Sequence, residues 1–422
     1  MTDVRPFRAL RYDAARVDLA RVLVPPYDVI APEERAAFYD GDPHNAIRLT
    51  LTRNLAEEAA ADYADVRRML DAWSSSGVLV RDAQPALYAL RQSFSAPDGT
   101  RHTREGFFGL LHLEDYARRV VRPHERTFAA PKADRLKLLR AARANLSSIF
   151  VLFEDRELEA AELFAAAFEG EPLARAEDAS GALHSLTALR DPQHIERVRA
   201  FLAQRPVVIA DGHHRYETAL AYRDERRDAG DGPDAPSEWT LAYFANAYAP
   251  GSLLLPIHRL LLQGAMPGDS AWRKRLPGWG EKSVAVESAE ALPALLARHL
   301  EPLRDAHACA VDDASGRLRI FSRPRAAGDP LSVRVVHREV IERVFGLGED
   351  AVGEGAIAYS KSAEQIARDV RAGRGAVAIY LNALAPEDVF EVTAAGDVLP
   401  QKSTFFTPKL PTGLLFRCLE PA

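Results

Sequence analysis

The stretch from Arg205 to Gly230, RPVVIADGHHRYETALAYRDERRDAG, constrains the fold of this chain more than any other. Val207, Val208 and Ile209 form a short β-branched run after Pro206, the pattern of a buried strand. Asp211-Gly212 breaks the run. From Tyr216 to Ala229, Ala219, Leu220 and Tyr222 share one side of a helical repeat, charges take the other, and Gly230 supplies a stop. Strand, glycine turn and helix start in this order predict that Asp211, Gly212, His213, His214 and Arg215 gather around the exposed N–H groups of a helix N-terminus. Such an end attracts anions, and an Arg beside it matches phosphate. A plainer reading stays open: Asp211 is only a helix N-cap, Gly212 makes the turn, and the His pair lies on the surface. The glycine spacing and Lys-Ser/Thr pair of a Walker loop are absent.

The rest of the chain is read around that unit. At 422 residues it is long enough for two or three domains, and a charged content of 27% is ordinary for a folded soluble protein. A formal net charge of −6 argues against a nucleic-acid partner. Cys309 and Cys418 make neither a metal spacing nor a disulfide framework, which fits a reducing compartment. MTDVRPFRAL has no apolar signal core, and no run is long enough to span a bilayer. The expectation is a soluble cytoplasmic protein without a membrane partner.

Basic residues carry unequal information here. Of 54, only seven are lysines: Lys132, Lys137, Lys274, Lys282, Lys361, Lys402 and Lys409. In a chain that has drifted to Arg, a retained Lys points to a role for a compact, titratable ammonium that a planar guanidinium cannot imitate.

In chain order, VLVPPYDVIAPEE holds a Pro-fixed turn with Asp28 two residues on, readable as a structural turn, a cap, a metal ligand or a base. A short helix follows at APEERAAFYD, then a strand ending DPHNAIRLTL with Arg48 and Thr50 on one side, then an amphipathic helix over Leu55–Gly77. Two strands flank the Pro-Asp-Gly-Thr turn at residues 97–100, a hairpin signal. In VVRPHERTFAAPKADRLKLL, Arg122, His124, Glu125, Arg126, Thr127 and Lys132 crowd a loop that enters a helix at Ala133, with Asp134, Arg135 and Lys137 in its first turns. Charge pairing on a solvated helix accounts for Asp134 to Lys137, but not for the His-Glu-Arg-Thr loop. Ile149–Phe153 reads as a buried strand, and His258-Arg259 as a surface pair. The tail holds an extended Pro-rich segment with Lys402, Ser403, Thr404 and Lys409. This alternation predicts an α/β (α+β) fold, mixed sheets with flanking helices, in three parts: 1–262, 263–350 and 351–422.

VPPYDVI, RPHERT followed by KADRLKLL, ADGHHRYETAL, LPIHRL and LPQKSTFFTPKLPTGL occur in an order that resembles the bacterial and archaeal family named domain of unknown function 1015. The patches run from Val24 to Gly413 and so span nearly the whole chain. Phe128-Ala129-Ala130 departs from the pattern, since many relatives carry a Gly just before the pair that is Pro131-Lys132 here. The DGHHR turn is also similar to the phosphate-cradling signature of ParB-like and sulfiredoxin-like folds, a group that includes a free-serine kinase. The resemblance thus implies a ParB/sulfiredoxin-like nucleotide-binding core.

Together these readings predict a nucleotide-dependent phosphotransferase acting on a small polar metabolite, free serine first, with ATP or ADP and Mg2+. Phosphoryl transfer needs cations around the phosphates, a metal, and a group that orients the nucleophile. Arg215, His213, His214, Gly212 and Asp211 are placed at the phosphates, Lys132 and Arg135 on the opposite wall. Glu125, His124 or Asp28 serves the proton, Asp211 or Glu125 the Mg2+, and Lys402, Ser403 and Thr404 close the site. Two rival classes use the same residues: a phosphoserine-type hydrolase, with water in place of the acceptor, and a non-catalytic ParB-like nucleotide-binding regulator.

Overall fold

The computed structural model describes every residue except 128, 265, 349–354, 401 and 420–422; the expected departure at Phe128 therefore lies outside the described residues. The architecture is mixed α/β, with several sheets and flanking helices. The chain divides into two compact units: Met1–Leu253 with Phe390–Val398 and the stretch from Pro408, and Leu254–Val389 with Leu399–Thr407.

The first unit is organised by a nine-stranded sheet. Its strands run in the order Val121–Arg122, Val207–Asp211, Ile149–Phe153, Trp239–Asn246, Arg101–His112, Leu87–Ser95, Leu183–Leu189 and Ala174–Glu177, and Val4–Arg5 also pairs with Arg101–His112. Val207–Asp211 runs parallel to Val121–Arg122, and Trp239–Asn246 parallel to Ile149–Phe153; the remaining pairs are antiparallel. Every residue of Trp239–Asn246 is buried, so this strand is covered on both faces, as its unbroken apolar run requires. Ile149, Val151, Phe153, Val207, Ile209, Ala242 and Phe244 fall on one face and join one core with residues of the helices Pro192–Ala203 and His213–Asp228. Within it Phe107 and Phe244 stack at 4.8 Å. A second core gathers Leu10, Tyr12, Leu70, Trp73, Leu138, Ala142 and Phe416.

The strand Ile149–Phe153 and the hairpin Leu87–Ser95/Arg101–His112 form where the apolar runs predict. Other segments differ. Ile47–Thr50 is a helical turn and not a strand, because Asn45 Oδ1 accepts the Ile47 N–H and the Arg48 guanidinium reaches back to the Tyr39 carbonyl. The predicted helix Leu55–Gly77 is split into Leu55–Ala60 and Ala64–Ser75. Tyr63 lies between them at φ 57°, its hydroxyl donating to Asp134 at 2.8 Å.

The second unit holds a six-stranded antiparallel sheet in the order Gly280–Ala285, Arg317–Pro324, Ala306–Asp312, Val377–Tyr380, His258–Leu261 and Ile357–Ser360. Its core packs Leu318, Ile320, Ala378 and Tyr380 against Leu292 and Leu296 of one helix and Ile366 and Val370 of another. His258 and Arg259 are buried and not on the surface, because their strand lies inside the sheet with a neighbour on each side. His258 Nδ1 accepts the Leu381 N–H at 3.3 Å, and its ring meets Tyr380 edge-on. Both cysteines are free. Among the described residues, no helix is long and apolar enough to cross a membrane.

Candidate functional site

A one-residue irregularity aims the central carboxylate. Val208 pairs with Leu152 and Ile209 with Val151, but Asp211, not Ala210, then faces Phe150. Alternation alone would put Asp211 on the core face with Ile209; the bulge turns it to the opposite face. Gly212 follows at φ 92°, a conformation that favours glycine, and the 16-residue helix His213–Asp228 begins directly after it. The N-cap is Gly212 itself, which has no side chain to cap the helix. Asp211 is therefore not the N-cap that the plainer reading supposed, and His213 is buried, 2% exposed, not at the surface. His213, His214 and Arg215 occupy the first helical turn, three residues earlier than the sequence pattern placed the start.

Both oxygens of Asp211 meet cations. Arg215 Nη2 donates to Oδ2 at 2.5 Å, and the Lys409 ammonium lies on Oδ1. Arg215 Nη1 also donates to the Ser148 carbonyl. The guanidinium lies flat against Gly212, where a Cβ would sit 3.0 Å from Arg215 Cζ. Among the described residues, the buried Arg215 Nε has no hydrogen-bond partner. Burial alone would raise the Asp211 carboxyl, but Lys409 and Arg215 more than offset it and hold the group well below the usual carboxylate range. Asp28 moves the other way: lost solvation, then the Asp211 charge, raise its carboxyl against the pull of Arg215 and Lys409. Asp28 as a whole residue is exposed, and screening tempers this rise.

The HERT loop supplies the next layer. His124 Nδ1 lies 2.5 Å from the Ile209 carbonyl, and the His124 amide donates to His213 Nε2 at 3.2 Å. His213 Nδ1 is then left facing Glu125 Oε1 at 3.2 Å. These bonds assign both tautomers: each ring carries its proton on Nδ1. Burial, and then His213, push His124 down to about 4, so it is neutral at pH 7. Burial also lowers His214. Glu217, one turn beyond His213, accepts from Thr127 Oγ1 at 2.7 Å and from Lys132 Nζ at 2.8 Å.

Arg135 is placed differently from expectation. It is buried, with its guanidinium committed to Asp134, the Thr50 carbonyl and the Tyr63 hydroxyl and stacked 4.4 Å from the Tyr27 ring. Lys402, Ser403 and Thr404 belong to the second unit. There the Lys402 carbonyl accepts from Arg259 at 3.5 Å, and Ser403 Oγ donates to the Pro400 carbonyl at 2.6 Å. Within the first unit the structure thus joins Asp211–Arg215 to His124 and Glu125, and Lys132 to the same helix through Glu217. Lys409 and Glu217 were not singled out as site residues. The scarcity of lysine points to Lys409; Glu217 is hidden among ordinary helix-surface charges.

The donor set permits a test of the metal expectation. His124, Glu125 and His213 offer ligand atoms within 4.8 Å of one another. His124 has the orientation of a metal ligand, its Nδ1 held by the Ile209 carbonyl. His213 fits poorly: bound through Nδ1 it would carry its proton on Nε2, where the His124 amide already points. Asp211 fits poorly too, with both oxygens in ion pairs. Glu125 remains as the carboxylate suited to Mg2+, an ion that takes one or two carboxylates and otherwise waters and phosphate oxygens.

Comparison with known proteins adds the following. A family model described as protein of unknown function, DUF1015, matches residues 4–276. No curated protein matches the chain. Among solved structures, a conserved hypothetical protein from Pyrococcus furiosus is similar at a TM-score of 0.34 and 12% identity, covering 74% of this chain and 95% of its own. A mutant free serine kinase in complex with ADP is similar at 0.34 and 11%, covering 73% and 92%. Free serine kinase in complex with AMP is similar at 0.35 and 12%, with the same coverage.

Proposed function

The chain belongs to the DUF1015 family, and from that premise we propose that it is a nucleotide-dependent phosphotransferase acting on a small polar metabolite. ATP or ADP is the donor, with Mg2+, and free serine is the favoured acceptor, the latter on the sequence resemblance to free-serine kinases. One observation carries the reading: a buried carboxylate holds two cations, Arg215 and Lys409, at the start of a helix whose N-cap is a glycine. A helix start beside a guanidinium and an ammonium suits phosphate oxygens.

The remaining residues take roles by their environment. Asp211 orients Arg215 and Lys409 and does not itself touch the nucleotide's metal. Asp28, its carboxyl raised from the ordinary range beside a carboxylate that is held ionised, receives the proton of the acceptor hydroxyl. Glu125, steadied by His213, would hold Mg2+, which when bound neutralises charge on the phosphates. Lys132, held by Glu217, faces the transferred group as a point charge.

Thermal melting with ATP, ADP, Mg2+ and serine tests the binding half of this reading, because a ligand at a hundredfold its Kd stabilises by about 2.7 kcal/mol. A nucleotide-dependent rise in Tm is expected. A Tm unmoved by either nucleotide at millimolar concentration overturns the proposal.

A further inference from the structure

A row of buried polar side chains crosses the first unit's sheet, away from the helix start. Arg104, Gln92 and His184 are cross-strand partners in successive pairs, Gln92 opposite Arg104 and His184 opposite Gln92. All three are buried, at 1%, 0% and 2% exposure, a costly place for polar groups without partners. Their hydrogen bonds run one way. Arg104 Nε and Nη2 donate to Gln92 Oε1 at 3.0 and 2.6 Å, and Gln92 Nε2 then donates to His184 Nδ1 at 3.2 Å. With Nδ1 accepting, His184 carries its proton on Nε2 and donates to Asp178 at 2.7 Å. A buried guanidinium is thereby tied to a distant carboxylate through two neutral groups.

The other end of the row explains its placement. Arg104 Nη2 also donates to the Pro408 carbonyl at 2.6 Å, while the Phe150 ring, which lies opposite Asp211 in the sheet, supports the guanidinium from 4.6 Å. The residue after Pro408 is Lys409, whose ammonium sits on Asp211. A lysine in place of Arg104 would lack the fork that serves an amide oxygen and a backbone carbonyl together.

We propose that Arg104 is a positioning residue: anchored through Gln92 and His184 to Asp178, it fixes the Pro408 carbonyl and so holds the Lys409 ammonium on Asp211. This deepens the phosphotransferase reading, since Lys409 is one of the two cations of the phosphate site. Row and tail are linked without any ligand, so the link is measurable in the free protein.

The test is lysine labelling of the full chain with an amine acetylating reagent, read residue by residue by mass spectrometry, alongside the melting temperature. In the wild type, Lys409 reacts slowly relative to Lys282. Arg104→Met raises Lys409 labelling about fivefold, the opening expected when one buried hydrogen bond is lost, while Lys132 and Lys282 keep their rates. If Arg104→Met does not fold, Gln92→Met decides in its place, because it keeps the guanidinium and removes its side-chain acceptor. Unchanged Lys409 labelling in a folded variant overturns the proposal, and so does a parallel rise at all lysines, which is the mark of general loosening. Failure of the wild type to bind any nucleotide defeats the phosphotransferase reading alone and leaves the labelling result to decide this one.

Discussion

Lys409 and Asp211 stand 198 residues apart in the chain and meet in one ion pair, with Arg215 on the carboxylate's other oxygen. The tail from Pro408 thereby returns to the strand that ends at Asp211. One carboxylate between two cations sits at a helix start, where the helix dipole favours an anion.

Removing one cation should cost stability. The Lys409 side chain is 21% exposed and that of Asp211 11%, so the pair is largely shielded from water. Lys409→Met is expected to destabilise the fold by about 2 kcal/mol in urea unfolding, below the cost of breaking a fully buried pair. Asp211→Asn combined with Lys409→Met should cost less than the sum of the two single changes. Strict additivity would show that the two residues are not coupled.

The raised carboxyl of Asp28 makes a prediction with a definite sign. A carboxyl raised on folding binds protons more tightly in the native state, so its contribution falls as pH rises through and above the ordinary Asp range. Asp28→Asn is therefore expected to raise Tm modestly at pH 7, to have no such effect at pH 3, and to abolish turnover. A lower Tm at pH 7 would remove Asp28 from its place beside Asp211.

For Arg215 the expectation concerns shape, not charge. Arg215 serves Asp211 and the Ser148 carbonyl at once. Arg215→Lys keeps the charge but loses the fork, and nucleotide affinity should fall about tenfold, or ~1.4 kcal/mol, in calorimetry. Unchanged affinity would take Arg215 out of the phosphate site.

Much of this arrangement was legible in the sequence, and the remainder was hidden for physical reasons. The β-branched Val207–Ile209 run, the apolar Ile149–Phe153 and the Pro-Asp-Gly-Thr turn each encode local structure and formed where their patterns predict. Ile47–Thr50 alternates like a strand, but a tertiary context of caps and burial made it helical. His258-Arg259 reads as polar surface, yet its strand is internal to a sheet, which one strand's sequence cannot reveal. In the candidate site, the Asp-Gly-His-His-Arg turn announced itself, whereas the bulge that turns Asp211 to the Phe150 face depends on the partner strand. The same holds for Lys409: its scarcity as a residue type was visible, its partner was not. Arg135 stood beside Lys132 in sequence but is consumed by packing with Tyr27 and Tyr63.

Lysine usage yields a paired test. Lys132 is about one-third exposed and meets Glu217, and Lys402 lies exposed in the second unit. Lys132→Arg and Lys402→Arg should each leave Tm nearly unchanged, since exposed charge swaps cost little. Turnover of Lys132→Arg should fall about tenfold or more, roughly 1.4 kcal/mol of transition-state stabilisation, with Lys402→Arg in the second unit as the comparison. Full activity in Lys132→Arg would mark Lys132 as an ordinary surface lysine.

The most direct measurement is transfer itself. The full chain is incubated with ATP or ADP, Mg2+ and serine, and separately with phosphoserine alone, while phosphoserine and free phosphate are followed by phosphorus NMR. The account predicts phosphoserine appearing in step with nucleotide consumption, at a rate that Asp28→Asn abolishes, and no phosphate release from phosphoserine alone. Release of phosphate from phosphoserine without nucleotide would make the protein a hydrolase, and consumption of neither nucleotide in the presence of serine would contradict the account.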